Sequence, residues 1–303
     1  MDKLQAMSVF VKIAEKGSLT KAADILGKSL PAVVRILASL EQHLETRLFN
    51  RTTRKIALTE EGRIYLERCK KIITEIDDAE NSLTSDQIEP KGTVTITASV
   101  RFGEMYVAPI ITKFLKQYPK MHVKLLLLDR VVNMLDEGID LAVRIAPIGD
   151  SSVIAKPVGE VRQVVCATPD LIDQFVEPQN PEDLIDKPCI HFSGLSETQN
   201  WKFDNQGKSF IVKIDGPLQC NQASSSVDAC VAGMGFGQFL SYQVKPWIQS
   251  GELKIVLNSF EPKPIPVNIV FHHSRLMASR VRLFVDFLAD ELKSSLKENI
   301  PRK

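Results

Sequence analysis

The apolar residues of this 303-residue chain change their spacing twice, which, with its length, calls for more than one domain. Up to residue 44 they recur at helical intervals, with a short β-prone run before residue 58, and from 59 to 89 they step by fours and threes. From Thr93 onward, short β-prone runs alternate with helical ones. Charge divides at the same places. Residues 1–58 hold 10 Lys and Arg against 5 Asp and Glu, residues 59–89 hold 4 against 9, and the remainder holds 24 against 23. A basic head, an acidic connector and a neutral body predict segments 1–58, 59–89 and 90–303, of which only the head faces a polyanion.

In the head, Leu4, Met7, Phe10, Val11 and Ala14 mark one face of a first helix, which Gly17 ends. Ser18 caps a short second helix that buries Ala22, Ala23 and Leu26 before Gly27 turns the chain. Ser29 caps a third, with Pro31 in its first turn and Val33, Ile36, Leu37, Leu40 and Leu44 as its inner stripe. Two short helices joined by a Gly-containing turn, with Lys28, Ser29 and Arg35 near the outer face of the second, suit insertion into a DNA major groove. The helices alone fit a small protein-binding bundle equally well. The run from Arg47 to Lys55, followed by Ile56-Ala57-Leu58, reads as a two-stranded wing tipped with arginines, suited to phosphates or a narrow minor groove.

These residues closely resemble the winged helix-turn-helix of LysR-type transcriptional regulators. The resemblance rests on A-x-x-V-F (Ala6 to Phe10), G-S-L-T-K-A-A (Gly17 to Ala23), L-G-x-S-x-P-A-V-x-R (Leu26 to Arg35), L-E-x-x-L (Leu40 to Leu44), L-F-x-R (Leu48 to Arg51) and L-T-E-E-G (Leu58 to Gly62). It implies a DNA-facing set of Ser18, Thr20, Lys28, Ser29, Pro31, Ala32, Arg35, Arg51, Thr52 and Arg54. Two positions depart from the pattern. Val34 stands where the family usually has Ser, and Glu45 replaces a Gly, so the turn after Leu44 lacks that glycine's freedom at positive φ.

Thr59 is placed to cap the next helix, with Glu60 and Glu61 in its first turn. Tyr65, Cys69, Ile72, Ile76, Ala79 and Leu83 then form a heptad seam, and Pro90-Lys91-Gly92 ends the helix. In the family such linker helices pair antiparallel, which implies a homodimer or homotetramer with this seam as its partner surface.

From residue 93 the alternation predicts a parallel α/β layer. Strands are expected at Thr93 to Ala98, His122 to Leu128, Leu141 to Ile145, Gln163 to Thr168, Cys189 to Phe192, Leu218 to Cys220, Phe236 to Leu240 and Val267 to Phe271. Helices are expected over residues 103–117, in a short piece ending at Asp136, and at Ala223 to Val231 and Arg280 to Leu296. The resemblance continues through Pro90 to Ser99, Leu127 to Ile145 and Ala232 to Gly237. It implies an effector domain of two Rossmann-like lobes, about 90–162 plus 266–303 and about 163–265, hinged by two crossing strands as in periplasmic binding proteins. The fold class expected is therefore α/β with an N-terminal all-α winged helix-turn-helix and a long linker helix.

In such folds ligands lie at the carboxyl ends of strands. Ser99, Val100 and Arg101 follow the first strand and could receive a carboxylate, and Arg144 could add charge. His191, Phe192, Asn221 and Gln222 would face them across the cleft. The reading is a regulator that binds a double-stranded DNA operator and responds to a small anionic metabolite, with RNA polymerase as a further partner. The rival is a ligand- or redox-sensing α/β protein whose N-terminal bundle binds protein, and a steep salt dependence of DNA binding would separate the two.

Other classes have little support. Gly233-x-Gly235-x-Gly237 lacks the further glycine and leading strand of a dinucleotide fingerprint and reads as a helix-to-strand turn. No phosphate loop occurs, so neither catalysis nor a cofactor is expected. Five cysteines without C-x-x-C, and no H-E-x-x-H, point to structural thiols and no metal. The longest aliphatic run, Leu125 to Leu128, falls far short of the roughly 18 residues of a membrane span, and the start carries no apolar signal core. A cytoplasmic protein without a membrane partner is expected.

Overall fold

A computed structural model describes residues 2–52, 55–83, 90–149, 153–195, 198–272 and 278–297. The chain divides into two compact units, Met1–Ile88 and Glu89–Lys303.

The first unit opens with α1 (Lys3–Lys16), α2 (Leu19–Ile25) and α3 (Leu30–His43). Asp2 Oδ1 accepts the Gln5 N–H at 3.1 Å to start α1, and Gly17, left-handed at φ 59°, ends it by donating to the Ile13 carbonyl. Phe10, Ile13, Ala22, Val33, Leu37 and Leu40 form a core from which water is excluded, Ala22 and Ala23 letting α2 approach closely. The end of α3 departs from the usual chemistry. Thr46 N–H reaches the Glu41 carbonyl and Glu45 N–H the Gln42 carbonyl, a Schellman closure whose left-handed position, φ 51°, is occupied by Glu45.

The wing follows as β1 (Phe49–Thr52) and β2 (Lys55–Leu58), antiparallel with Phe49 opposite Leu58. Then comes α4 (Glu60–Leu83), capped by Thr59 Oγ1, which accepts the Gly62 N–H at 2.9 Å. A side chain at Gly62 would lie 2.1 Å from the Leu48 carbonyl oxygen, so only glycine lets the wing and α4 meet this closely.

The second unit holds two five-stranded sheets. The first uses β3 (Gly92–Ala98), β4 (Met121–Leu127), β5 (Leu141–Ile145), β6 (Val153–Val161) and, from late in the chain, β14 (Ile265–His272), in the order β4-β3-β5-β14-β6. Its helices are α5 (Val100–Phe102), running through a π turn at Gly103–Val107 into α6 (Ala108–Gln117), and the final α10 (Ser279–Lys297). The second sheet uses β7 (Gln163–Ala167), β8 (Pro188–Phe192), β11 (Asp215–Cys220), β12 (Phe236–Leu240) and β13 (Lys254–Val256), in the order β11-β8-β12-β7-β13. Around it lie α7 (Pro169–Phe175), a separate hairpin of β9 (Asn200–Asn205) and β10 (Lys208–Lys213), α8 (Ala223–Val231) and α9 (Ser241–Ser250).

Both sheets are mixed, because β14 runs antiparallel to β5 and β6, and β7 antiparallel to β12 and β13. The chain passes between the sheets at Arg162 and again after Glu261. These passages are tied together: the Arg162 guanidinium donates through Nε to Glu261 Oε2 at 2.8 Å and through Nη2 to Oε1, with the Glu261 carboxylate only 3% exposed. Arg162 also exchanges hydrogen bonds with Ser241, the residue that begins α9.

One expected element is absent. The short helix ending at Asp136 is a turn, because Asn133 Oδ1 captures the Leu135 N–H at 3.1 Å and Gly138 takes φ 68°. The strands β6, β9, β10 and β13 and the helices α7 and α9 were not foreseen.

Candidate functional site

On the first unit, α3 turns Val33, Leu37 and Leu40 inward at no more than 1% exposure and presents Ser29, Pro31 and Arg35 to solvent, with Ala32 half-buried beside them. Ser29 sits at the N-cap without a side-chain capping bond. Ser18 accepts the Lys21 N–H at 3.3 Å, so its hydroxyl caps α2, while Thr20 is exposed and Lys28 half-buried in the turn. Arg51 and Thr52 lie in β1, and Arg54 falls outside the described residues.

The linker seam needs a correction. Cys69 is fully buried in the head's own core, and Tyr65 turns to Phe10 with ring centroids 5.5 Å apart. Packing of α4 on α1 therefore takes the first two seam residues for the inside of the unit. Burial, and then the Cys69 thiol beside it, pushes the Tyr65 phenol up to about 12. Ile72, 38% exposed, faces outward, as does Ile64 at 61%, and Ile76 is half-buried. Ala79 and Leu83 lie in the last turns of α4.

In the second unit a cavity of about 340 Å³ opens between the two sheets. Ser99, Val100 and Arg101 line it where β3 passes into α5, Arg144 from the end of β5, Phe192 from β8 of the second sheet, and Gln222 from the N-cap of α8. His191 and Asn221 do not line it. Side chains alternate along β8, so with Phe192 on the cavity wall His191 is buried on the other side, and Asn221 is exposed before α8 begins. Leu128 to Val132, Ser224, Tyr242 and Gln243 also contribute to the wall. Asp129 and Arg130 sit in the motif already singled out, whereas Tyr242 depends on α9, for which the sequence carries no clear period.

The electrostatics of the cavity differ from expectation. Asp129 Oδ1 accepts the Val100 N–H at 2.9 Å, so the chain's own carboxylate occupies the start of α5. Arg101 lies 3.5 Å from Glu104. Arg130 makes a two-pronged pair with Glu137 at 2.7 and 2.8 Å, which holds that carboxyl below its usual range. Arg144 donates to the Val132 carbonyl at 3.2 Å. Beneath them the Ser99 Oγ is buried beside the Tyr242 phenol, with no well-aligned hydrogen bond among the described residues, and burial holds that phenol protonated. Tyr242 itself reaches from α9 to stack edge-on against Phe102, at 5.2 Å between centroids.

Among the five cysteines, all free, only Cys220 is partly accessible. A hydrogen bond with Cys230, and then burial, raises the Cys166 thiol, and burial pushes Cys189 up to about 12, so both are packed, protonated groups. Gly233, at φ 77°, ends α8 and leads into β12, so the glycine run is a helix-to-strand turn. Among the described residues no group of three or more His, Cys, Asp or Glu could hold a metal ion, and no helix is long and apolar enough to cross a membrane.

A winged helix-turn-helix, a long following helix and a two-sheet domain with a cavity between its sheets define a DNA-binding regulator that responds to a small molecule. Residues 4–63 match the bacterial regulatory helix-turn-helix protein, lysR family, and residues 87–293 match the LysR substrate binding domain. The chain belongs to the LysR family of transcriptional regulators. It is 31% identical over 292 residues to an HTH-type transcriptional repressor of Pseudomonas aeruginosa, covering 96% of this chain and 92% of that one. It is 30% identical over 290 residues to the HTH-type transcriptional activator AaeR of Escherichia coli, covering 96% and 94%. The solved structure of CrgA, a LysR-type transcriptional regulator from Neisseria meningitidis, superimposes with a TM-score of 0.61 at 29% identity, covering 95% and 98%.

Proposed function

We propose that residues 1–58 read a double-stranded operator, residues 59–89 pair protomers, and residues 90–303 hold the effector, the whole acting in the cytoplasm as a non-catalytic switch. Ser29, Pro31, Ala32 and Arg35 on α3 face the major groove, Thr20 and Lys28 approach the phosphates, and Ser18 supports them as a cap. The wing, with Arg51, Thr52 and Arg54, follows the neighbouring backbone or minor groove. The outer side of α4 at Ile72 and Ile76 joins two copies, as a dimer or within a tetramer, and the output passes to RNA polymerase at the promoter.

The effector is a small anion. The observation that carries this is the buried Ser99 Oγ, set beside the Tyr242 phenol and met by no charged group among the described residues, in a cavity where Arg101 and Arg130 already face carboxylates and Arg144 donates to the Val132 carbonyl. An incoming carboxylate satisfies the hydroxyl and takes Arg144, while Phe192 and Val100 cover its apolar part. Binding that favours one arrangement of the lobes shifts the oligomer by its differential affinity.

Thermal unfolding of the full chain against a panel of small carboxylates and their amides tests this. Carboxylates that bind raise the melting temperature and their amides do not, and Arg144→Met removes the rise, since only ligand bound to the native state stabilises it. Equal stabilisation by an acid and its amide, or a full rise in Arg144→Met, refutes the anionic reading.

A further inference from the structure

We infer that Glu41 is a positioning residue for DNA recognition, its carboxylate fixing the root of the wing to the recognition helix so that both elements meet DNA in one register. The inference rests on reading α3 and the wing as the DNA-facing elements. Glu41 lies on α3, next to the buried Leu40 and six residues beyond Arg35. Its Oε1 accepts the Leu48 N–H at 2.8 Å and the Phe49 N–H at 3.2 Å, and its backbone carbonyl accepts the Thr46 N–H at 3.1 Å. One residue of the recognition helix thus gathers three N–H groups from the segment that leads into β1.

The same segment is held from its other side. Thr59 donates its N–H to the Leu48 carbonyl at 3.0 Å and its hydroxyl to the Arg47 carbonyl at 2.8 Å, while Gly62 admits the Leu48 carbonyl against α4. Leu48 and Phe49 are 1% and 2% exposed, so their N–H groups have no water to fall back on. The wing is therefore not free to tilt on a flexible loop. Its base is shared between α3 and α4, and Glu41 supplies the link to α3. A hydrophobic contact could fill the same space, but it would not fix the height of the strand to within a hydrogen bond.

The test uses the full chain and a duplex that the wild-type protein selects from a random pool. Affinity is measured as a function of salt, with hydroxyl-radical footprinting on the same duplex. Glu41→Ala is expected to lose backbone protection under the wing, to keep protection in the major groove, and to show a log K against log salt slope shallower by about one for each phosphate that the wing no longer neutralises. Glu41→Gln, which keeps an accepting oxygen, restores the footprint and the slope. Should Glu41→Ala not fold, Glu41→Asp, one methylene too short to reach both N–H groups, is judged by the same criteria. A folded Ala or Asp variant with the wild-type footprint and slope overturns the proposal, as does a Gln variant with the losses of Ala. Arg35→Ala on the same duplex separates the two levels: unchanged base preference there refutes the DNA-facing reading of α3, whatever Glu41 does.

Discussion

Glu45 carries a side chain at φ 51°, in the left-handed region that glycine enters without penalty. The strain of a non-glycine residue there is about 1–2 kcal/mol, offset in part because glycine gives the unfolded chain more freedom to lose. Glu45→Gly should therefore stabilise the head by about 0.5–1 kcal/mol. Both tryptophans, Trp201 and Trp247, lie in the other unit, so the gain is read from slower amide exchange in α1 and α3 rather than from tryptophan fluorescence. Unchanged or faster exchange would show that the turn relaxes around the glutamate at no cost. The departure at this position was visible in the sequence because the neighbouring motif fixes what the turn must do. His191 and Asn221 were not legible in the same way. For His191, one residue of alternation along β8 decides which side of the sheet a side chain joins, and the uniformly buried run Cys189 to Phe192 does not declare its faces, while Asn221 falls in the link between β11 and α8.

Among the elements, the linker helix shows how a regular pattern can serve two partners. Its 4,3 steps satisfy a coiled-coil seam and equally the single stripe a helix needs to cover its own domain, and the first turns of α4 are taken by Phe10 and its neighbours. At Ile72 the helix turns an apolar side chain outward. Replacing Ile72 and Ile76 together by Asp should lower the sedimenting mass at micromolar concentration, since each places an unpaired charge in the contact between copies. Retention of the wild-type mass would move that contact elsewhere. The three head helices were legible because caps, glycines and the 3.6-residue period agree at each boundary. The elements α7, α9 and the β9–β10 hairpin were not, because their formation depends on the second sheet against which they pack. Within α9, Pro246 even argues against a helix.

For the whole molecule, the two passages between sheets meet in the Arg162–Glu261 pair, and Ser241 joins that pair to Tyr242 on the cavity wall. A ligand in the cavity is thus one residue away from the junction about which the lobes would turn, a short physical path between occupancy and shape. The two-lobed architecture was legible from motifs spread along the body. The charge pattern of its cavity was not, because the pairing of Arg130 with Glu137 depends on a turn that replaced an expected helix, and that of Asp129 with the Val100 N–H joins residues 29 apart in sequence. On the proposed function, an anion seated on Ser99 controls the regulator without being needed for operator binding. The most direct test is a reporter placed under the duplex selected by the wild-type protein, in cells carrying the wild type or Ser99→Leu and supplied in turn with small carboxylates. A carboxylate that changes wild-type output should leave Ser99→Leu at its ligand-free level, with equal operator occupancy by footprinting. A Ser99→Leu variant that occupies the operator and responds as the wild type does would show that the effector is not held at Ser99.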